Sequence, residues 1–515
     1  MHARSENPRT PVVVGVGQAA ERIDDADYRG MSPVELAAVA AQAAVDDTGA
    51  DPALVAKAID TVVATRQFEN SIPNAPAPLG LSNNFPRSVT RRFGADPARA
   101  VLDKVGGQGP QRLVNEFTAS IATGETDVVL LCGSDATSTT RHFAAADKVA
   151  MKPDFSETVD GQLEDRGFGL EEFVERYTVI HGLTSAPVQY GLLENARRAR
   201  LGLGPADYLQ AMGELFAPFT KIAAKNPFAA SPVERSVDEL ITVSSTNRMI
   251  CDPYPRLLVA RDQVNQGAAV LLTSVEAARR LGIPPEKWVY LHGHADMREQ
   301  RLLERPDLSR SPTAATAVTE ALAVAGIGIA DVAALDLYSC FPVPVFNICD
   351  TFGLAADDAR GLTLTGGLPF FGGAGNNYSM HAIAEAVAAA RRVPGEFALV
   401  GANGGMMSKY SVGVYSTTPT EWKPDHSSGL QDEADRLGKV AVTEHADGPA
   451  TVETYSVRYD WPTRTGIVIG RLDDGSRFLA ATEDDDLVAL LSDGEPLGAQ
   501  ITVRALDYGN RCSLR

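Results

Sequence analysis

Cysteine is scarce: five residues in 515, at 132, 251, 340, 349 and 512. The number is odd, the spacing is scattered and no C-x-x-C pair occurs. That excludes a disulfide-stapled secreted scaffold and a thiolate zinc cage. A reduced, cytoplasmic compartment is expected. Histidine is sparse too, at eight residues. His292 and His294 come nearest to a metal pair, since alternation on a strand would turn both rings to one face. No third ligand is near them, so a structural role is favoured. Positive charge is in deficit, with 47 Lys and Arg against 66 Asp and Glu and a net charge of −19. Nucleic acid and anionic membranes are therefore poor partners. No apolar run approaches the ~20 residues that span a bilayer. The opening MHARSENPRTP has no apolar segment of the kind a secretory signal needs.

What the chain does have is length and ordinary globular chemistry, 44% hydrophobic and 22% charged. About two to four domains are expected. PVVVGV (11–16) reads as a buried strand. Ser32-Pro33-Val34-Glu35 then opens a helix with a capping box, and Gly49 ends it. A strand over 59–64 follows. The same grammar returns at Ser311-Pro312, Gly326 and Leu335 to Leu337. A second pair also matches. "GGQGPQRLVNEFTASIATGETDVVLLCGSDATS" (106–138) parallels "GGAGNNYSMHAIAEAVAAARRVPGEFALVGANGGMMS" (372–408). Each is a glycine turn, an amphipathic helix, a Gly-Glu turn, a buried strand and a small-residue loop. Two copies of one α/β unit, with a site between them, are the expected plan.

The boundaries follow from breaks in this pattern. The first half spans 1–145 and resumes at 251–278; an insertion over 146–250 covers a site; the second half spans 279–417. Residues 418–438 are polar and read as a linker. From 439 to 515 the pattern turns to β. Tyr455, Val457 and Tyr459 alternate with Thr454, Ser456 and Arg458, and Asp474-Gly475 suits a tight hairpin turn. A small antiparallel β-barrel is expected there.

The repeated segments resemble the thiolase superfamily. Residues 106–138 resemble the thiolase nucleophile segment, a Cys-Gly-Ser-Gly loop opening a helix. "NQGAAVLL" (265–272), "LTGGLPFFGGAGNNYS" (364–379) and "LYSCF" (337–341) resemble further thiolase segments, the last in its sterol-carrier type, and the order is right over roughly 10–417. The resemblance implies the αβαβα thiolase fold, two pseudo-symmetric halves with a loop-domain insertion, and an acyl-CoA or related lipid thioester as ligand. It implies a homodimer formed through the sheet beside the nucleophile loop. No separate cofactor is implied, because coenzyme A enters only as part of the ligand. The C-terminal segment resembles the oligonucleotide/oligosaccharide-binding-type (OB-like) domain of companions of thiolase-like aldolases, without their zinc-ribbon cysteines.

Thiolase chemistry needs a thiolate, a second acid/base and an oxyanion hole. Carried over residue by residue, these roles are missing. The nucleophile falls on Gly106, the serine two further on Gln108, the histidine on Gly373, the acid/base cysteine near Gly401, and the residue ordering the oxyanion-hole water on Tyr338. Cys132, Cys340 and His381 read as packing residues rather than rescuers. The remaining candidates are binding groups. Backbone amides at Gly106, Gly107 and Gln108 begin a helix, and Asn403, Gly404 and Gly405 could add donors. Tyr338 also resembles the tyrosine of thiolase-like steroid side-chain aldolases, although Ser339 stands where their aspartate would be. Three readings follow: a CoA-thioester binder without thiolytic or Claisen activity, which is favoured; a cysteine-independent retro-aldol lyase using Tyr338; and an acyltransferase, of the acetyl-CoA acetyltransferase kind, with a non-standard nucleophile. A phenol acting as base would need its pKa lowered by a neighbour.

Overall fold

The computed structural model describes residues 7–145, 152–170, 175–460 and 462–515. The residues at which the insertion was expected to begin, 146–151, lie outside this set, as do the first six. Ten strands form one continuous sheet. From one edge they run Val332–Leu337, Phe397–Gly404, Lys409–Ser416, Val289–Arg298, Pro11–Ala20, Gln266–Ser274, Val128–Asp135, Thr61–Ala64, Arg99–Leu102 and Glu164–Asp165. The two expected copies meet in the middle, where Pro11–Ala20 pairs antiparallel with Val289–Arg298 through Val12–Tyr290 and Val13–Val289. Outward from that junction each half repeats one order of four strands. A pseudo-twofold therefore lies at the junction.

Helices complete the layers. Gly109–Thr123 and Tyr378–Arg392 form the central layer, burying Leu113, Val114 and Phe117 with Met380, Ile383 and Val387 against strands of both halves. Pro33–Asp47 and Pro312–Ala325 lie on the outer faces. The first of these has the expected capping box, Ser32 with Glu35. Each outer helix rests almost on its strand's backbone. A Cβ at Gly15 would lie 2.0 Å from Ala44 O, and one at Gly293 only 1.9 Å from Ala321 O. The glycine between His292 and His294 is thus a packing requirement. The two rings do not converge on one point. His292 Nε2 contacts Thr418 O at 2.8 Å, His294 Nε2 contacts Lys423 O at 3.0 Å, and His294 Nδ1 pairs with Asp425. They clasp the 418–425 stretch to the sheet. Within 418–438, expected as a linker, Ser427–Asp435 is helical, and Ser427 Oγ accepts from Asp296 N.

Residues 448–514 close into a five-stranded barrel: Gly448–Asp460, Thr463–Leu472, Arg477–Thr482, Gly509–Leu514, Gln500–Leu506 and back to the first. Four junctions are antiparallel, and the closing one, Ala481 to Arg511, is parallel. Gly475, at φ 83°, makes the tight turn between the second and third strands. Tyr455 and Val457 point into the barrel core as their alternation requires. The opposite face does not meet water. Thr454 Oγ1 donates to Leu192 O and Ser456 Oγ donates to Asp252 O, because helix Ala186–Leu201 of the insertion packs there. Small hydroxyl side chains let that helix approach while finding carbonyl partners.

The strand edge expected to form a homodimer is occupied. Glu164–Asp165 pairs parallel with Arg99–Leu102, the strand that leads into the Gly106 loop. Leu102 O also accepts from Arg166 N. The chain's own insertion caps the edge that a second copy would need.

Candidate functional site

The loop 104–108 joins strand Arg99–Leu102 to central helix Gly109–Thr123. It is held from the other half of the molecule. Gly106 N donates to Asn376 Oδ1 (2.9 Å), while Asn376 Nδ2 donates to Arg66 O and Ser71 Oγ. Ser379 Oγ donates to Gly107 O at 2.6 Å. Asn377 bridges Gly133 O and Thr65 Oγ1. These residues start the second central helix, so the GGAGNNYS segment serves as the clamp for the first half's loop. Its sequence likeness to a thiolase segment was visible; this clamping role was not.

At both glycines the space for a side chain is already taken. A Cβ on Gly106 would lie 2.3 Å from Gln108 Oε1, and one on Gly107 would lie 2.2 Å from Tyr338 Oη and 2.6 Å from Asn403 O. Gln108 Oε1 also sits 2.0 Å from a Cβ built on Gly404. A nucleophilic side chain cannot be accommodated at either position without moving these groups. Gly404 is glycine for the same reason.

Tyr338 follows strand Val332–Leu337, and its N–H donates to Gly401 O. Its ring is edge-on to Tyr378 at 5.4 Å. Burial pushes its phenol well above the ordinary value, with Cys340 adding to the rise. That is the reverse of what a phenolate base needs, so the group stays a proton donor across physiological pH. Ser339 Oγ accepts from Leu368 N and is committed to the loop.

The other candidates separate into two sets. Gly106, Gly107, Gln108, Tyr338, Asn403 and Gly404 converge. Gly401 supports Tyr338 through its carbonyl and faces Tyr410 Oη, which a Cβ would approach to 2.4 Å. Gly373 stands apart from that set, donating to Arg261 O and packing on Ala260 and Leu368. The side chain of Asn403 is not available as an oxyanion donor: Nδ2 donates to Tyr190 Oη at 2.8 Å and Tyr190 Oη donates to Gly405 O at 2.6 Å. Tyr190 comes from the insertion and stacks on Phe341 at 4.5 Å. Nothing in its local sequence marks it, because its hydrogen-bond partners lie more than 200 residues away.

None of the five cysteines is poised as a substitute nucleophile, nor is His381 as a base. All five cysteines are free and buried. Burial pushes Cys132, Cys340, Cys349 and Cys512 up to about 12 and raises Cys251 as well. His381 is buried, contacts Gln18 Oε1 through Nδ1 and is pushed down to about 3, so it stays neutral. Among the described residues no group of three His, Cys, Asp or Glu side chains could hold a metal, and no helix is long and apolar enough to cross a membrane.

Residues 429–507 match the family model described as the thiolase-like protein type 1 additional C-terminal domain. No curated protein matches the chain. Among solved structures, a monomeric SCP2-thiolase-like protein type 1 from Mycobacterium smegmatis is 60% identical, over 99% of this chain and 100% of that one, with a TM-score of 0.86. The Ltp2–ChsH2(DUF35) aldolase is 20% identical over 79% of this chain and 98% of its own, with a TM-score of 0.55. The dimeric peroxisomal thiolase of Saccharomyces cerevisiae is 12% identical over 80% and 98%, with a TM-score of 0.57. The last two share the fold. The first shares fold, sequence and the added barrel: the chain belongs to the SCP2-thiolase-like protein type 1 family, within the thiolase superfamily.

Proposed function

We propose that the protein binds a CoA thioester of acyl or lipid metabolism in a reducing, cytoplasmic setting, without thiolytic or Claisen activity. Glycine at the nucleophile position Gly106, with the side-chain space at Gly107 filled by Tyr338 Oη and Asn403 O, carries this reading, since neither position offers a thiolate to hold an acyl group. The amide of Gly106 is spent on Asn376, so a thioester oxygen would be held by those of Gly107 and Gln108 at the start of the 15-residue helix. Coenzyme A would be part of the ligand, with no separate cofactor. The test is incubation with acetyl-CoA followed by intact mass and a thermal scan. No mass increase and a raised melting temperature are expected. A covalent acyl adduct would point to the acyltransferase reading, and no shift with any CoA ester would remove thioester binding.

A second reading, retro-aldol cleavage of a 3-hydroxyacyl-CoA, rests on the Tyr338 hydroxyl against Gly107. With its pKa raised, the phenol would protonate the enolate carbon and be reprotonated by solvent, while the β-hydroxyl proton would leave to water as the C–C bond breaks. Cleavage abolished in Tyr338→Phe would establish it.

A further inference from the structure

One peptide unit beside the site is gripped from two sides. Strands Phe397–Gly404 and Lys409–Ser416 are joined by the turn 405–408, which follows directly on Asn403 and Gly404. In this turn the carbonyl of Met406 accepts from Arg305 Nη2 at 3.0 Å, and the N–H of Met407 donates to Tyr190 Oη at 3.3 Å. Both groups belong to one peptide plane, so two distant side chains fix its orientation.

That orientation has to be held. Gly405 and Met407 both lie in the left-handed region, at φ 60° and 48°. Glycine adopts it freely, but an L side chain such as methionine rarely does. A half-turn of the 406–407 peptide would return Met407 to negative φ and break both contacts.

Arg305 is a costly way to hold it. Its residue is only 2% exposed and makes no ion pair among the described residues. Burial pushes its pKa down. Its side-chain donors go to main-chain carbonyls, Nε to Gln300 O at 2.9 Å and Nη2 to Met406 O. A buried guanidinium without a carboxylate costs stability, and what it supplies here is the fixed position of two carbonyls, which its planar fork suits. The barrel holds Arg305 in turn. Arg477 Nη1 donates to Arg305 O at 2.6 Å and to Leu303 O at 2.8 Å. Ile467, Ile469 and Leu479 of the barrel also share one apolar core with Tyr190, Met406 and Met407.

We propose that the C-terminal barrel positions the site in cis: through Arg477 and Arg305 it holds the Met406–Met407 peptide, opposite Tyr190 of the insertion, in the orientation that keeps Asn403 and Gly404 against Gly107 and Gln108. Arg305 is a positioning residue, one step removed from any ligand. The device sets the shape of the site and works alike for a thioester or any other occupant.

Hydrogen exchange on the full chain, read on peptides covering 404–409 and 33–47, tests it. Arg305→Met is expected to raise exchange over 404–409 by at least about tenfold and to leave 33–47, the outer helix of the first half, within about twofold. The rise should persist in a Met407→Ala background and fall below about threefold with Met407→Gly, because glycine keeps a positive φ without being held. Arg305→Lys keeps the charge and serves one carbonyl at most, so it repeats the comparison in a less disturbed core. Arg477→Met, from the barrel side, should raise exchange over 404–409 in the same direction. An equal rise in the alanine and glycine backgrounds would mean that Arg305 serves stability alone and overturns the proposal. So does a rise shared equally by 33–47, or an Arg477→Met chain in which 404–409 exchanges as before.

Discussion

Tyr338 and Gly107 occupy one site between them: the tyrosine hydroxyl lies 2.2 Å from where the glycine's Cβ would be. The pair closes the position next to Gly106, where the thiolase nucleophile falls. A cysteine at this neighbouring position is therefore no replacement for it. Gly107→Cys is expected to cost about 1–3 kcal/mol of stability by overpacking, and to give no acyl adduct with acetyl-CoA. In a Tyr338→Phe background the cost should shrink, because the nearest clash is with the hydroxyl. Urea unfolding of the four chains of this cycle measures the coupling, and full additivity would contradict the contact.

Arg477 is fully buried and ties the barrel to the rest of the chain. It donates to Leu303 O and Arg305 O and pairs with Glu453. Arg477→Met is expected to lose about 1–3 kcal/mol, since it strands two buried carbonyls and removes one of the two arginines paired with Glu453. Calorimetry should show the loss, with the barrel melting first.

Glu194 gives a pH signature. It accepts from the hydroxyls of Tyr208 and Tyr254 and from Val343 N, joining the insertion to the second half. Burial nevertheless pushes its carboxyl from 4.5 up to about 7. The folded pKa lies above the unfolded one, so its contribution is full below about pH 4.5 and is lost as pH rises towards 7. The slope is about 1.4 kcal/mol per pH unit across that window. Glu194→Gln should flatten this part of the stability–pH curve. An unchanged slope would show that Glu194 titrates normally.

The pairing of Glu164–Asp165 on Arg99–Leu102 gives a testable expectation for the oligomeric state. With Glu164–Asp165 paired on Arg99–Leu102, the chain is expected to sediment as a monomer at micromolar concentration. A dimer in sedimentation velocity would mean that this strand is displaced or that another face associates.

Much of the fold was legible because its signals are local. The Ser32 capping box, the repeated turn–helix–strand grammar and the alternation at Tyr455 and Val457 each depend on residues within a few positions of one another. The central layer was expected only through the likeness to the thiolase fold. The candidate site was legible only as a set of absences at Gly106, Gly373 and Gly401. What fills those absences could not be read: Tyr190 reaches Gly405 across 215 positions, Asn376 reaches Gly106 across 270, and Glu164–Asp165 closes an edge some 60 residues upstream.

The sequence by itself determined the repeated turn–helix–strand units, the alternation of the barrel strand at Tyr455 and Val457 and the loss of the thiolase nucleophile at Gly106, because capping, burial period and residue chemistry are properties of short segments. The tertiary structure alone decided that the vacated space is shut rather than open, that Gly373 stands outside the converged set, and that the barrel, through Arg305, and the insertion meet at one peptide of the site turn. Those outcomes depend on where the pseudo-twofold brings distant side chains within a few ångströms, and no local pattern encodes a distance across the fold.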